Sequence, residues 1–305
     1  MPRAPRLLVP GQPAVYHVMS RTCLDGHPLG TQEKDYLLAV IKHFSAIYFC
    51  QVLGFCLMGN HFHLLIRMHP PEAVSDEAIA KRYQALFNSY PPPSKGRIHS
   101  FREKWTSLSN LMQEIKQTFS RFYNKRHDRR GYFWGGRFKS VLVEDGRALV
   151  NCLAYIDLNP IRAGIARRPE DYRWCSLGYH ARTGNQGGFL SLDLGMAEWN
   201  PESGSERLRL YREFVYRTGA LDSHKGRSLD ERILERAQAK NFRYTHADRL
   251  LMRTRWFTDS AILGSRAYVT EMGHRLGLGS DAKRRPKRVS GLEGTYSFRR
   301  LAEIL

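Results

Sequence analysis

Gly59-Asn60-His61-Phe62-His63-Leu64-Leu65-Ile66-Arg67-Met68 decides how the rest of this chain is read. Its even positions, Phe62, Leu64, Ile66 and Met68, are all apolar, whereas its odd positions carry His61, His63, Leu65 and Arg67. Such alternation marks a strand, because successive side chains project to opposite faces. The stretch is predicted to be the second arm of a β-hairpin, with Gly59-Asn60 as a two-residue turn after the apolar run 51–58. On that strand the two imidazoles stand about 7 Å apart on one face. This is a metal-ligand spacing, and it is equally the spacing of two structural or solvent-facing histidines.

Working outward, Ala14 to Thr22 alternates and is rich in Val, Tyr and Met, which predicts a first strand. His17 shares a face there with Val15 and Met19 and reads as a packed histidine. Leu37, Leu38, Ile41, Phe44 and Tyr48 recur at helical spacing within 33–48. The segment 70–102 is less regular, with one predicted helix over 75–87 and a loop at Pro91-Pro92-Pro93-Ser94-Lys95-Gly96. A strongly amphipathic helix is predicted over 107–126, followed by a fourth strand over 137–143. Asp145 is placed to N-cap a last helix running to Leu158, which Asn159-Pro160 and Gly164 would end. The order strand, helix, strand, strand, helix, strand predicts an α+β fold, a ferredoxin-like antiparallel four-stranded sheet with helices over one face. His61 and His63 would then lie on the opposite, open face.

The charge balance narrows the partner. With 48 Lys+Arg against 29 Asp+Glu, the net charge is +19, which favours a polyanion. The excess is concentrated around Lys116, Arg121, Lys125, Arg126, Arg129, Arg130, Arg137 and Lys139, among Tyr132, Phe133 and Trp134. Such a run is often just a solvated face. Arginines among aromatics also suit nucleic acid, whose phosphates take the charge and whose unpaired bases stack. The five cysteines, Cys23, Cys50, Cys56, Cys152 and Cys175, include no C-x-x-C pair and read as reduced core residues of a cytoplasmic protein. No apolar run approaches the ~18 residues of a spanning helix, so no membrane role is expected.

On the last helix, Leu149, Cys152, Leu153 and Ile156 form the predicted buried stripe, with Tyr155 and Asn159 one turn apart on its flank. Both are routine as a boundary tyrosine and a C-terminal asparagine. They also have a chemical reading. A carboxamide oxygen, with imidazoles and waters, suits Mg²⁺ or Mn²⁺. A phenol beside such an ion is a nucleophile for a phosphodiester, although only about one in a thousand is ionised at pH 7 when its pKa is near 10.

Five motifs occur in order: Tyr16-His17-Val18 with Arg21, Met58-Gly59-Asn60-His61-Phe62-His63-Leu64-Leu65, Gly136-Arg137-Phe138-Lys139-Ser140, Tyr155-Ile156-Asp157-Leu158-Asn159-Pro160-Ile161-Arg162-Ala163-Gly164, and Tyr172-Arg173-Trp174. Together they resemble the single-tyrosine HUH transposases, in particular the REP-associated tyrosine transposases, over roughly residues 14–180. The resemblance implies an enzyme that cleaves and rejoins single-stranded or hairpin DNA. It implies that His61, His63 and Asn159 hold a divalent cation, and that Tyr155 forms a 5′-phosphotyrosine link. Arg162, beside the tyrosine motif, joins the basic residues expected to meet DNA. The sequence departs from the pattern at Gly59, where many relatives have Pro, and at Cys175, where Ser is common. Whether the protein works as a monomer or a homodimer stays open. So do two other functions, a domesticated non-catalytic binder of structured DNA or RNA and a nuclease in which water attacks.

The chain divides, on this reading, into a catalytic domain over 1–180, a linker over 181–205 and a helical accessory domain over 206–305. Helices are predicted over 206–218, 229–240, 247–256 and 260–276, the last two as a helix-turn-helix around Phe257-Thr258-Asp259 or as a generic helical unit. Lys283-Arg284-Arg285-Pro286-Lys287-Arg288 is a basic cluster able to track phosphates.

Overall fold

The computed structural model describes residues 7–88, 91–196, 199, 201–219, 256–278, 285–289, 292 and 294–299. The histidine strand, β3 (His61–Met68), pairs on one side with β2 (Cys50–Leu57) and on the other with β1 (Ala14–Arg21), both antiparallel. Met58 donates its N–H to the His61 carbonyl (2.8 Å) across Gly59-Asn60, so the two-residue turn is as expected. Phe62, Leu64, Ile66 and Met68 all enter one core, whereas Leu65 enters another. Each buried side chain of this size stabilises the fold by about 1.5–3 kcal/mol. A one-residue slip would turn the whole set over, which fixes the register.

β4 (Lys139–Val143) lies beside β1, and the sheet does not stop there. β5 (Ser260–Gly264) pairs parallel to β4, and β7 (Tyr296–Arg299) and β6 (Lys287–Arg288) follow, giving among the described residues seven strands in the order β2-β3-β1-β4-β5-β7-β6. The four-stranded sheet expected from the sequence is therefore a mixed seven-stranded one, and the C-terminal region supplies three of its strands. The helix predicted over 260–276 is instead β5 followed by a helix over Arg266–Arg275. Ser260-Ala261-Ile262-Leu263-Gly264 is buried throughout, as a central strand in a two-sided sheet requires. A helix-turn-helix around residues 257–259 is thus excluded. The helices predicted over 229–240 and 247–256 lie outside the described residues, apart from Trp256.

Helices cover both faces. α1 (Thr31–Ile47) and α4 (Leu108–Arg126) pack on the Phe62 side through Leu37, Ile41, Phe44, Leu111, Ile115 and Phe119. Between β3 and α4 stand α2 (Asp76–Phe87), with Ser75 as its N-cap, and α3 (Lys95–Trp105), which the proline-rich reading of that segment did not anticipate. The opposite face, expected to be open, is covered by α5 (Arg147–Asp157). Leu149, Cys152, Leu153 and Ile156 lie against Val15, Leu65 and Val141 there. After the short α6 (Asn159–Arg162) comes α7 (Ser176–Thr183), whose N-cap is Cys175; its sulfur accepts the Gly178 N–H at 3.4 Å, as a serine hydroxyl would at an N-cap. α8 (Gly204–Gly219) packs outside α5 through Tyr211 and Val215. This second layer explains why α5 is buried on every side.

Two further expectations change. Asp145 does not cap α5. The N-cap is Gly146, whose φ of 81° suits glycine, and Asp145 instead pairs with the buried Arg67 guanidinium at 2.6 Å. Arg67 also holds Asp193 at 2.5 Å, and Ser191 donates its N–H to the Val52 carbonyl. Residues 190–196, read as linker, are therefore fastened to the sheet, with Leu190, Leu194 and Met196 buried. Of the cysteines, Cys23 is exposed and outside the core. Among the described residues no helix is long and apolar enough to cross a membrane.

Candidate active site

The second core ends in a cluster of rings. β3 brings His61 and His63 to the same face, with ring centroids 5.0 Å apart at 85°. α5 lays the Tyr155 ring against His63 at 5.6 Å, edge-on at 88°. β1 adds His17, stacked on His63 at 5.1 Å. From the C-terminal region, the short helix α9 (Trp256–Asp259) adds Phe257, stacked on Tyr155 at 5.1 Å. His63 is 3% exposed and Tyr155 6%.

The hydrogen bonds fix which ring nitrogens carry protons. A peptide carbonyl only accepts, so His17 Nδ1, 2.8 Å from the Phe257 carbonyl, is protonated. Burial pushes the His17 pKa down to about 4, so at neutral pH its Nε2 is a lone pair. That lone pair lies 2.9 Å from His63 Nδ1, which must therefore donate to it. His63 is held neutral by burial first, then by His17, His61 and Arg162, so its Nε2 is also a lone pair. This atom is buried and has no hydrogen-bond partner. His61 follows the same logic: Nδ1 donates to Asn60 Oδ1 at 2.8 Å, and burial, with Arg21 and His27, pushes its pKa down to about 4. Both histidines of the motif thus present an Nε2 lone pair.

Asn159 reaches the cluster through Tyr155. Its Nδ2 donates to the Tyr155 carbonyl at 3.1 Å and to the Ile156 carbonyl at 3.3 Å. Arg162 also donates to the Tyr155 carbonyl, and its guanidinium carbon sits 4.3 Å from the centre of the Tyr155 ring. Burial pushes the Tyr155 pKa up to about 12; Arg162 and a hydrogen bond with the Asn159 side chain pull against that rise. Among the described residues no three His, Cys, Asp or Glu side chains form a metal cage. The available donor set is two neutral imidazoles and a carboxamide, and an unpartnered buried lone pair on His63 is what such a set needs to hold a cation.

The basic residues divide into three groups. Arg121, Lys125, Arg126, Arg130, Arg137 and Lys139 are exposed, on the outer side of α4 and around the loop after it. Arg126 is partly engaged by Glu33 at 3.2 Å. Lys116 and Arg129 are half-buried, and Lys116 donates to the Gly136 carbonyl at 2.5 Å under the Trp134 ring. Arg162 belongs with Tyr155. His17 and Phe257 are the participants that the sequence reading did not assign. Parity placed His17 with Val15 and Met19 as a packed histidine; the register that puts this face on the His63 side is not written in either strand. For Phe257 no local signal exists.

Residues 13–89 match the family described as "Transposase IS200 like", a span that contains His61 and His63 and stops short of Tyr155. A protein of Haemophilus influenzae, provisionally named a REP-associated tyrosine transposase, is 26% identical over 155 residues, 48% of this chain and 74% of that protein. A solved structure of a REP-associated tyrosine transposase bound to a REP hairpin aligns with 60% of this chain and 87% of its own at 14% identity, with a TM-score of 0.41. Over residues 13–89 the chain is thus similar to the IS200-like transposases. Within them, the relative it matches is of the REP-associated kind.

Proposed function

We propose that this protein cleaves and rejoins single-stranded DNA at the foot of a hairpin, with Tyr155 as nucleophile and Mg²⁺ or Mn²⁺ as cofactor. The observation that carries this reading is the contact of Tyr155 with His63, whose Nε2 lone pair is buried and unpartnered. His61, His63 and Asn159 would hold the cation, which when bound supplies Lewis-acid polarisation of the scissile phosphate. Tyr155 Oη attacks phosphorus, the bond from phosphorus to the 3′ oxygen breaks, and that oxygen leaves with the proton the phenol gives up. The 5′ side remains as a phosphotyrosine. Because the ester is conserved, a 3′-hydroxyl can reverse the step without ATP. With its pKa near 12 even beside Arg162, only roughly one phenol in 100,000 is ionised at pH 7, so the phenol gives up its proton as it attacks. Arg162 lies over the ring, its guanidinium carbon 4.3 Å from the centre, and is placed to stabilise the charge that develops as that proton leaves. The exposed cations of α4 and its following loop would hold the DNA backbone.

The test is incubation of a labelled single-stranded hairpin with the protein and Mn²⁺. A covalent adduct resistant to denaturation is expected, absent in Tyr155→Phe; an adduct formed by that variant would remove Tyr155 from the role. Free 5′-phosphate product without an adduct would instead assign the attack to water. A second reading is favoured by the burial of Tyr155 beneath Phe257. It is a domesticated binder of structured DNA or RNA that performs no strand transfer. Tight binding with no adduct and no cleavage would establish it.

A further inference from the structure

Phe133 and Trp134 are buried against Phe119 of α4, but Tyr132, immediately before them, is 89% exposed. This tyrosine does not hang from a loose loop. The Gly131 carbonyl accepts from Asn124 Nδ2 at 2.8 Å, and the Tyr132 carbonyl accepts from Cys23 Sγ at 3.1 Å. The Phe133 carbonyl accepts the Cys23 N–H, and the Gly135 N–H donates to the Arg21 carbonyl, both at 2.9 Å. The backbone on both sides of Tyr132 is thus pinned while its side chain is exposed.

The loop is placed beside the candidate active site. Arg21, at the end of β1, is opposite His61 of β3 on one side and bonded to Gly135 on the other. With adjacent strands about 4.8 Å apart, the Gly135 end of the loop runs about 10 Å from the His61 backbone, and Tyr132 stands three residues before it. Its surroundings are strongly cationic: between residues 116 and 140 there are eight Lys and Arg and a single acid, Asp128. Arg130 and Arg137, on either side of Tyr132, are exposed.

We propose that Tyr132 is a stacking platform for one unpaired base of a single-stranded DNA whose phosphates lie on the surrounding arginines; this rests on the DNA reading above. An aromatic ring on a pinned backbone has only its two side-chain torsions to lose on binding, and every base offers it a π face. A paired base inside a duplex does not, so the platform selects single strands. The strand it holds would lead toward the end of the sheet that carries Arg21 and His61, which makes Tyr132 a positioning residue for DNA approaching the site.

The test uses the full chain with a fluorescent single-stranded oligonucleotide and its blunt duplex, compared for the wild type, Tyr132→Ala and Tyr132→Phe. Tyr132→Ala should weaken single-strand binding about 5- to 150-fold and leave duplex binding unchanged. Tyr132→Phe should bind like the wild type, since the stack uses the ring and not the hydroxyl. The salt dependence should be the same in all three, because no phosphate contact is removed. An abasic site stepped along the oligonucleotide should weaken the wild type at one position and leave Tyr132→Ala insensitive there. Equal loss on duplex and single strand, loss in Tyr132→Phe, or no loss in Tyr132→Ala would each overturn the stacking role while the DNA reading stands. A wild type that binds neither probe would overturn the DNA reading and the platform with it.

Discussion

His17 Nε2 lies 2.9 Å from His63 Nδ1, and the two rings are stacked with 21° between their planes. This contact, closed at its far end by the Phe257 carbonyl, sets the His63 tautomer and leaves Nε2 as the free lone pair. An outer partner of this kind orients a metal-ligating imidazole and raises its basicity, and losing one lowers metal affinity by about 10–100-fold. His17→Ala should therefore weaken Mn²⁺ binding by that factor in a calorimetric titration of the full chain. Unchanged affinity in a variant that still melts cooperatively would reduce His17 to a space-filling residue.

Arg162 makes the next prediction. Its guanidinium lies over the Tyr155 ring at 4.3 Å and opposes the effect of burial on the phenol. It is thus placed to favour the phenolate and the charge that develops on the phosphate. Loss of one such fixed donor commonly costs about 100- to 1,000-fold in rate. Arg162→Ala should slow single-turnover adduct formation by roughly 100-fold with little change in hairpin affinity, because the exposed cations of α4 remain. An affinity loss as large as the rate loss would instead assign Arg162 to DNA binding.

Gly54 supplies a test of how α5 is positioned. The β2–β3 register shifts between Val52 and Gly54, and a Cβ on Gly54 would meet Leu153 Cδ1 at 2.1 Å and Ser176 Oγ at 2.9 Å. The helix that carries Tyr155 therefore approaches the sheet as closely as it does because this residue has no side chain. Gly54→Ala should destabilise the protein by about 1–3 kcal/mol, as overpacking does, and should also lower the adduct yield. A thermal melt and the hairpin assay together check it; a full adduct yield at a lowered melting temperature would show that α5 tolerates the displacement.

What the sequence disclosed and what it withheld follow from contact range. The alternation of Phe62, Leu64, Ile66 and Met68 with His61, His63, Leu65 and Arg67 is local, and it correctly divides β3 between two faces. The N-cap of α2 at Ser75 is local as well. The covering of the second face is not local. Leu65 and Val141 are hidden by α5, and α5 in turn by Tyr211 and Val215, none of which advertises its partner. Asp145 has the composition of a cap, but Arg67, 78 residues away, captures its carboxylate. His17 and Phe257 meet across 240 residues, so no spacing rule links them. The buried strand β5 illustrates a further limit, since an apolar run as short as Ala261-Ile262-Leu263 carries no period to separate strand from helix.

The deepest carboxylate of this layer gives a prediction about pH. Asp157 is fully buried, accepts the Tyr211 hydroxyl at 2.6 Å and the Leu177 N–H at 3.2 Å, and so joins α5 to α8 and α7. Burial pushes its pKa up to about 6 in spite of those hydrogen bonds. An unfolded aspartate titrates near 3.9, so the folded state holds this proton the more tightly. Its contribution to stability is therefore fully present below about pH 4 and is lost as pH rises through about 6, an effect on the order of 2–3 kcal/mol by neutral pH. Asp157→Asn carries no charge; its Oδ1 still accepts the Leu177 N–H, and its Nδ2 donates to the Tyr211 hydroxyl oxygen where the carboxylate accepted. Relative to the wild type, its melting temperature should climb between pH 4 and pH 8, with the change centred between about 4 and 6. A difference between the two proteins that stays constant over that range would mean that Asp157 does not change its protonation on folding.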